Sequence, residues 1–537
     1  MFKDSLRAVL SLTIEGTTFS VPAGDIGFLE LTLEPWGFTG RASWWAVAQA
    51  AGEDPLFASF LSRPPIELSL SVARALDDPA AAAEPIVVKA LVTARDVVER
   101  VVASVAGAPV LQRRYSVEFA DRARALWSQH LPTSLHVDGT LKDLIDAHVP
   151  AGMTLTHSWA AEDIFPVLSV GLGAAPDGAS FYDFVGWLLD ARGAALSYDR
   201  ASDAYTIVDA KPAFDGEPKL VEREKVAVLD VDLPATLRAV PRVLNAYTGA
   251  ATQRKELAND QAVLGVVSDF LLRTSVEGDV TARAALETIR ARPAGAEVRA
   301  AFRRFPAVPL APGDPAKLDQ AFGPSLFASG KTLRVVRARV VARAESDAAG
   351  DDLGAPTKRY DMDYEVLLED EAELVFRRAP FRAPVWPFHV EGQIVSEVGA
   401  PAEDTYQPYT DSETSIDQYK IKIPLWGKTV VASFEPNLMP GHFYFPAYKE
   451  ERVKVALYFD RASIRCYLDW RAGARLPLEA QGDELLMGKT MANGTSITHA
   501  YEGGKPNFVI LRTSAADVQT IEVREGKIWM EAREEET

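Results

Sequence analysis

TSITHAYEGGKPNFVILRTSAADVQTIEVREGKIWMEARE, residues 495–534, is a run of short alternating segments broken at glycine. Ile521 and Val523 point one way, Gly526 turns the chain, and Ile528, Met530 and Ala532 then alternate with Trp529, Glu531 and Arg533. A period of two is the signature of strands with one apolar face. A single chain with this pattern would leave that apolar row and two sheet edges in water. Three chains wound about one axis would bury the row and pair the edges, with Ile521, Val523, Ile528, Met530 and Ala532 lining the core. A terminal β-hairpin folded back on a neighbouring barrel is the simpler outcome, and the residues alone favour it.

Upstream, the first stretch reads as antiparallel sheet. Leu10, Leu12 and Ile14 alternate with polar neighbours, as do Leu29, Leu31 and Leu33, then Ile66, Leu68, Leu70 and Val72, then Tyr115, Val117 and Phe119. Short strands punctuated by Gly and Pro suggest a barrel or sandwich. Between Thr140 and Tyr198 the period becomes helical: Leu141, Leu144 and Ile145, then Phe181, Phe184, Val185 and Leu188, ending at Gly193 as a left-handed cap. A strand pair follows, Ala195–Tyr198 and Tyr205–Val208, turning at Asp199 to Asp203. Residues 211–225 read as a linker. A second β-rich unit begins near Val226 and includes Leu333 to Val341 and Tyr364 to Leu368, with helical insertions expected near Gln261–Leu272 and Val280–Arg292. Residues 345–357 read as a surface loop, and short regular strands run from Pro387 to the end.

The chain has 537 residues, enough for three or four domains with cores of their own. Its net charge of -18 argues against nucleic acid, which needs a basic stripe to displace counterions. One cysteine, Cys466, excludes an intramolecular disulfide and a Cys-rich zinc module. The start, MFKDSLRAVLSLTIEG, does not read as a signal peptide. The longest apolar stretch, Ile86 to Val105, is interrupted by Lys89, Arg95, Asp96, Glu99 and Arg100, so no membrane anchor is expected.

Three segments together resemble the VgrG and phage baseplate hub-spike family of contractile injection systems. In SFYDFVGWLLDARGAALSYDRASDAYTIVD an acidic-aromatic helix start leads through a leucine pair and a glycine to a strand pair. It follows RRYSVEFADRARALW and HVDGTLKDLIDAHV, similar to the family's preceding strand and helix. From Val390 to Trp470, GQIVSEVG, YKIKIPLWG and VVASFEPNLMPGHFYFPAYKEERVKVALYFD follow the order of the family's OB-type barrel, through Gly441, Phe445, Pro446, Val453, Val455 and Phe459. The usual glycine before the last strand is replaced by Lys449–Arg452. The third segment, Gly494 to Glu534, is similar to the start of the family's intertwined needle. About half the chain is covered, in the family's domain order, and that order reverses the preference for a hairpin.

The fold class so implied is mainly β with inserted helices (α+β): two hub β-barrels, an OB-type barrel and a short C-terminal intertwined triple-stranded β-helix. The expected domains are a first hub barrel at 1–130, an α+β subdomain and linker at 131–225, a second hub barrel at 226–385, the OB barrel at 386–475 and the needle at 476–537. The resemblance implies a non-enzymatic homotrimer without cofactor, adapting a sixfold inner tube to a threefold needle. Its partners would be the inner tube protein, baseplate proteins, a PAAR-like tip protein and effectors. It would assemble in the cytoplasm and act outside or in a target cell. Type VI spike, extracellular particle and phage-like tail are not separated by the residues, although the short needle and lack of a C-terminal effector domain favour the particle.

The residues that could carry chemistry read as structural. GKT occurs at Gly330–Thr332, Gly427–Thr429 and Gly488–Thr490, but none has a glycine at phosphate-loop spacing, so all three read as turns. His130, His136, His148, His157, His389, His442 and His499 form no metal-ligand pair in sequence, so no metal site is expected, though His442, His499 and Cys466 could converge in space. Asp361 and Asp363 share a strand face beside Lys358 and Arg359 and read as a solvated edge rather than a glycosidase pair. Arg471 to Gly494 is too short for a catalytic domain, and no nucleophile elbow occurs. The alternative reading is an all-β carbohydrate-binding or hydrolytic protein using Trp44, Trp45 and Tyr406–Tyr409. A monomer would favour it.

Overall fold

The computed structural model describes residues 2–48, 54–76, 83–105, 108–174, 178–214, 216–274, 276–292, 295–323, 328–346, 352–395, 408–410, 417–434, 450–468, 482–490 and 493–534. The chain divides into two compact units. The first comprises 1–131, 145–162 and 175–384, and the second 132–144, 163–174 and 385–537.

Alternating apolar residues build the first unit. Phe2–Ile14 sends Leu6, Ala8, Leu10, Leu12 and Ile14 inward, all at most 2% exposed. Thr332–Ala344 and Thr357–Asp370 form a long hairpin, and six further strands close a ring around it. From Thr332–Ala344 the ring runs through Ile26–Glu34, Gly37–Ala48, Ala108–Ala120, Ile86–Val105, Glu67–Arg74 and Phe2–Ile14 to Thr357–Asp370. The same hairpin extends outward to Glu297–Phe302 and Val226–Asp232 on one side and to Pro315–Leu318 and Lys219–Val221 on the other. Strands from both segments expected as hub barrels are hydrogen-bonded into one thirteen-stranded sheet over a single apolar cluster, while Val240–Asn245, Arg254–Glu256 and Val267–Leu272 form a small sheet of their own.

Three local expectations change. Ile86–Val105, weighed only as a membrane span, is a twenty-residue strand. Its charges, Lys89, Arg95, Asp96, Glu99 and Arg100, are all exposed, and Glu99 accepts from Arg113 Nε at 2.8 Å. Residues 267–272, expected as helix, form the strand Val267–Leu272, whose β-branched start pairs in parallel with Val240–Asn245. In the expected linker, Lys219–Val221 pairs with Pro315–Leu318, and Val221 is fully buried. Of the loop expected at 345–357, residues 347–351 lie outside the described residues.

The helix Phe181–Arg192 forms as read. Ser180 and Asp183 make a reciprocal capping box, and Gly193 ends the helix at φ 71°. A buried carboxylate fixes the adjoining elements. Asp121 accepts from Phe38 N at 3.0 Å, Arg124 N at 3.0 Å and Tyr205 OH at 2.8 Å. Burial pushes its carboxyl upward, against the pull of these three donors.

The second unit holds a closed barrel of five strands. Phe388–Ile394 pairs with Asp417–Ile423, which continues through Lys428–Phe434, Ala462–Tyr467 and Arg452–Leu457 back to Phe388–Ile394. Lys428–Phe434 and Ala462–Tyr467 run parallel and the other ring pairs antiparallel. Val453, Val455, Leu457, Ile421 and Ile423 are fully buried. Gly392 lies where a Cβ would meet Ile421 Cγ2 at 2.3 Å, so the barrel core leaves room for no side chain there. Residues 133–136 and 168–171, read as part of the 131–225 subdomain, belong to this unit. Leu135 and Val167 enter the barrel's apolar cluster, and Lys428 Nζ donates to Leu135 O at 2.6 Å.

Candidate interaction site: the C-terminal sheet

Asp483–Thr490, Asn493–Glu502, Lys505–Ser514, Asp517–Arg524 and Lys527–Arg533 form one antiparallel meander, each strand pairing with the next. Residues directly opposite on neighbouring strands share a face. Ile521 faces Met530, Val523 faces Ile528, and Ala532 faces Gln519. The five needle residues therefore lie together on one face of the sheet.

The register extends that face across residues the sequence reading passed over. Ile510 faces Ile521, Phe508 faces Val523, Ile497 faces Ile510, and Leu485 faces Ile497. Met487 joins them opposite Thr495. Alternation was visible in each segment, but only the register joins four hairpins into one apolar surface. Ile528 is 70% and Met530 72% exposed, Ile521 40% and Val523 39%.

The opposite face is more polar. Glu522 is buried there, accepting from Arg524 Nη2 at 2.6 Å and Asn507 Nδ2 at 3.0 Å. The Arg524 guanidinium holds its carboxyl below the usual carboxylate range. Glu522 and Arg524 thus pair on the polar face; the other face carries Arg512, which donates to Gln519 at 3.1 Å, beside an apolar row left open.

The other candidate residues are dispersed. Gly330 at φ 75° and Gly427 at φ 66° sit in turns, and Lys331 pairs with Asp370 at 2.6 Å. Gly488–Thr490 is instead the end of the strand Asp483–Thr490, with a bulge between Gly488 and Thr490. His130 Nε2 lies 3.0 Å from His148 Nδ1, and His157 pairs with Asp146 at 2.8 Å. Cys466 is exposed, and His442 lies outside the described residues. Among the described residues no three His, Cys, Asp or Glu side chains gather to hold a metal, and no helix is long and apolar enough to cross a membrane.

Asp361, read as a solvated edge, lies opposite Lys3 on one side and Arg343 on the other. Its strand is therefore paired on both sides and forms no edge there, and the half-exposed carboxylate has cationic neighbours on both strands. Trp44 and Trp45, offered as sugar-stacking rings, are 2% and 8% exposed. Trp44 stacks on Tyr115 with centroids 5.4 Å apart, so its ring is spent on the core. The side chains of Tyr406 and Tyr409 lie outside the described residues.

No family model and no curated protein matches the sequence. Solved structures do. Against a chain of the structure described as Francisella PdpA-VgrG Complex, Lidded, the TM-score is 0.73 at 13% identity, over 99% of this chain and 80% of that one. The fold is shared along the whole chain. The lidless form of the complex gives a TM-score of 0.71 at 12% identity, covering 99% of each chain. An E. coli protein described as a type VI secretion component similar to T4 tail proteins gp27 and gp5 aligns with a TM-score of 0.47 at 12% identity, over 85% of this chain and 99% of that one.

Proposed function

We propose that this chain is a structural hub-and-spike of a contractile injection system, similar to VgrG proteins and phage baseplate hubs. The observation that carries the reading is the whole-chain likeness to a chain of the PdpA–VgrG complex, in the architecture the sequence segments imply. In this reading the thirteen-stranded sheet is the tube adaptor. The five-stranded barrel is of OB type, in keeping with its closed ring and its parallel third and fifth strands. The C-terminal meander is one third of a needle, and three copies bury its apolar face around a common axis. The chain performs no catalysis and uses no cofactor. Its partners are the inner tube protein, baseplate proteins and a tip protein or effectors, and it acts within a particle assembled in the cytoplasm.

Native mass spectrometry tests the assembly. A C3 trimer is expected at micromolar concentration, and a species of only 58.5 kDa would sink the architecture. Co-purification with an inner tube protein of such a system tests the role. A chain that trimerises yet never joins a tube would keep the needle and lose the hub.

A further inference from the structure

A second concentration of exposed apolar side chains lies far from the C-terminal sheet in sequence. Of thirty-four large hydrophobic side chains exposed among the described residues, nine fall in 485–530 and seven in 237–276. These two stretches hold nearly half, and the assembly proposed above gives a role only to the first.

The second stretch is a built surface. Val240–Asn245 lies between Arg254–Glu256 and Val267–Leu272, and the helix Glu277–Arg290 packs on one face through Val243, Leu257, Val280 and Ala284. Leu272 joins that core, so alternation puts Val267, Asp269 and Leu271 on the other face. There Asp269 is doubly bonded by Arg242, each contact 2.6 Å, and Leu271 stands 71% exposed. The outer edge of Val267–Leu272 has no strand partner among the described residues.

The apolar tip beside this face is held rigidly. Val266 N closes a turn on Val263 O at 3.0 Å, Val263 N donates to Arg238 O at 2.7 Å, and Val240 N donates to Val266 O at 2.9 Å. Asn259 Nδ2 donates to Leu237 O and Ala239 O, both at 2.9 Å. Leu237 and the turn are thereby fixed side by side, with Leu264 at the apex fully exposed. An ordered apolar surface of this kind loses little entropy on docking.

Charge indicates what docks. Residues 237–276 carry five basic and three acidic side chains, +2 in a chain of -18, which leaves -20 on the remainder. A cationic, apolar-tipped module is complementary to the acidic remainder of another identical chain. We infer that residues 237–276 form a subunit contact, seating on a second copy of this chain. The inference deepens the multi-subunit reading, and its test separates the two.

The test uses the full chain with Cys466→Ser and Leu264→Cys, labelled with benzophenone maleimide and irradiated at micromolar concentration. An adduct at twice the chain mass is expected, with the captured peptide mapping to this sequence. A Leu425→Cys control, at a site 68% exposed, should give none. Adducts only within one chain, equal adducts from the control, or capture solely of a different, acidic protein in assembled particles would each overturn the contact. The same samples are digested to look for a protease-resistant C-terminal trimer. The adduct without that trimer sinks the needle and leaves this contact standing, and the trimer without the adduct does the reverse.

Discussion

Along Thr332–Ala344 and along Asp517–Arg524 apolar side chains alternate at the same period, yet Val340 is 1% exposed and Val523 39%. Val340 faces Leu31 and Tyr364 in a sheet that closes on itself, so the chain supplies its own opposing wall. Val523 lies in a meander whose successive hairpins never return to cover it. Local pattern is therefore the same in both regions, and closure decides which one is satisfied by a single chain. The difference separates a self-sufficient fold from a surface that a single chain leaves uncovered.

The largest break in this comparison is Val340→Asp. A carboxylate placed in the closed ring has no cationic partner and must stay protonated or open the sheet. A loss on the order of 3–5 kcal/mol is expected for the first unit, read as a fall in its denaturant midpoint. An unchanged midpoint would mean that the ring opens readily to water.

The matching change in the meander, Val523→Asp, should leave the unfolding of the separate chain within about 0.5 kcal/mol of wild type, as for other exposed sites. In the proposed needle the same carboxylate is repeated three times about one axis and cannot be buried. The expected result is folded barrels without a protease-resistant C-terminal trimer. If that trimer survives, the strands are not intertwined. If it is lost together with the barrel signal, the two regions are not independent.

The same distinction explains what was legible. Six of the eight ring strands, the helix Phe181–Arg192 with its Gly193 cap and the barrel core at Val453, Val455 and Leu457 were readable, because each rests on local period or turn chemistry. Gly37–Ala48 and Ile86–Val105 were not read as strands. Val267–Leu272 was misread because its apolar residues fit both periods over six positions, and pairing with Val240–Asn245 decided for strand. Lys219–Val221 has too few residues to show a period at all. In the C-terminal sheet the five residues chosen from two strands proved to share a face, while Phe508, Ile510, Ile497 and Leu485 needed the register to join them.

A smaller effect is expected at the helix end that was read correctly. Gly193 holds φ 71°, and a Cβ there would also meet Leu286 Cδ1 at 2.9 Å. Gly193→Ala should cost about 1 kcal/mol, seen as a lower melting temperature of the first unit with assembly retained. A neutral outcome would show that the cap relaxes without strain.

The smallest effect belongs to Lys331→Ala. A nucleotide site at Gly330–Thr332 would need free backbone N–H groups ringing a phosphate, with the lysine reaching toward it. Instead Lys331 N donates to Ala328 O at 3.3 Å, and Lys331 Nζ pairs with Asp370 at 2.6 Å, an acid that would repel phosphate. The pair is half in water, with side chains 47% and 22% exposed, so its removal should cost roughly 0.2–1 kcal/mol at neutral pH. The lysine's hydrogen bond is the first cause holding the Asp370 carboxyl below its usual range. A depressed carboxyl stabilises the fold above its unfolded pKa and loses that contribution as pH falls through its folded value. The gap between Lys331→Ala and wild type should accordingly close on acidification, and calorimetric titration with ATP should give no binding heat for either chain. ATP binding by wild type that Lys331→Ala abolishes would make this turn a phosphate site and return an enzymatic role to the chain.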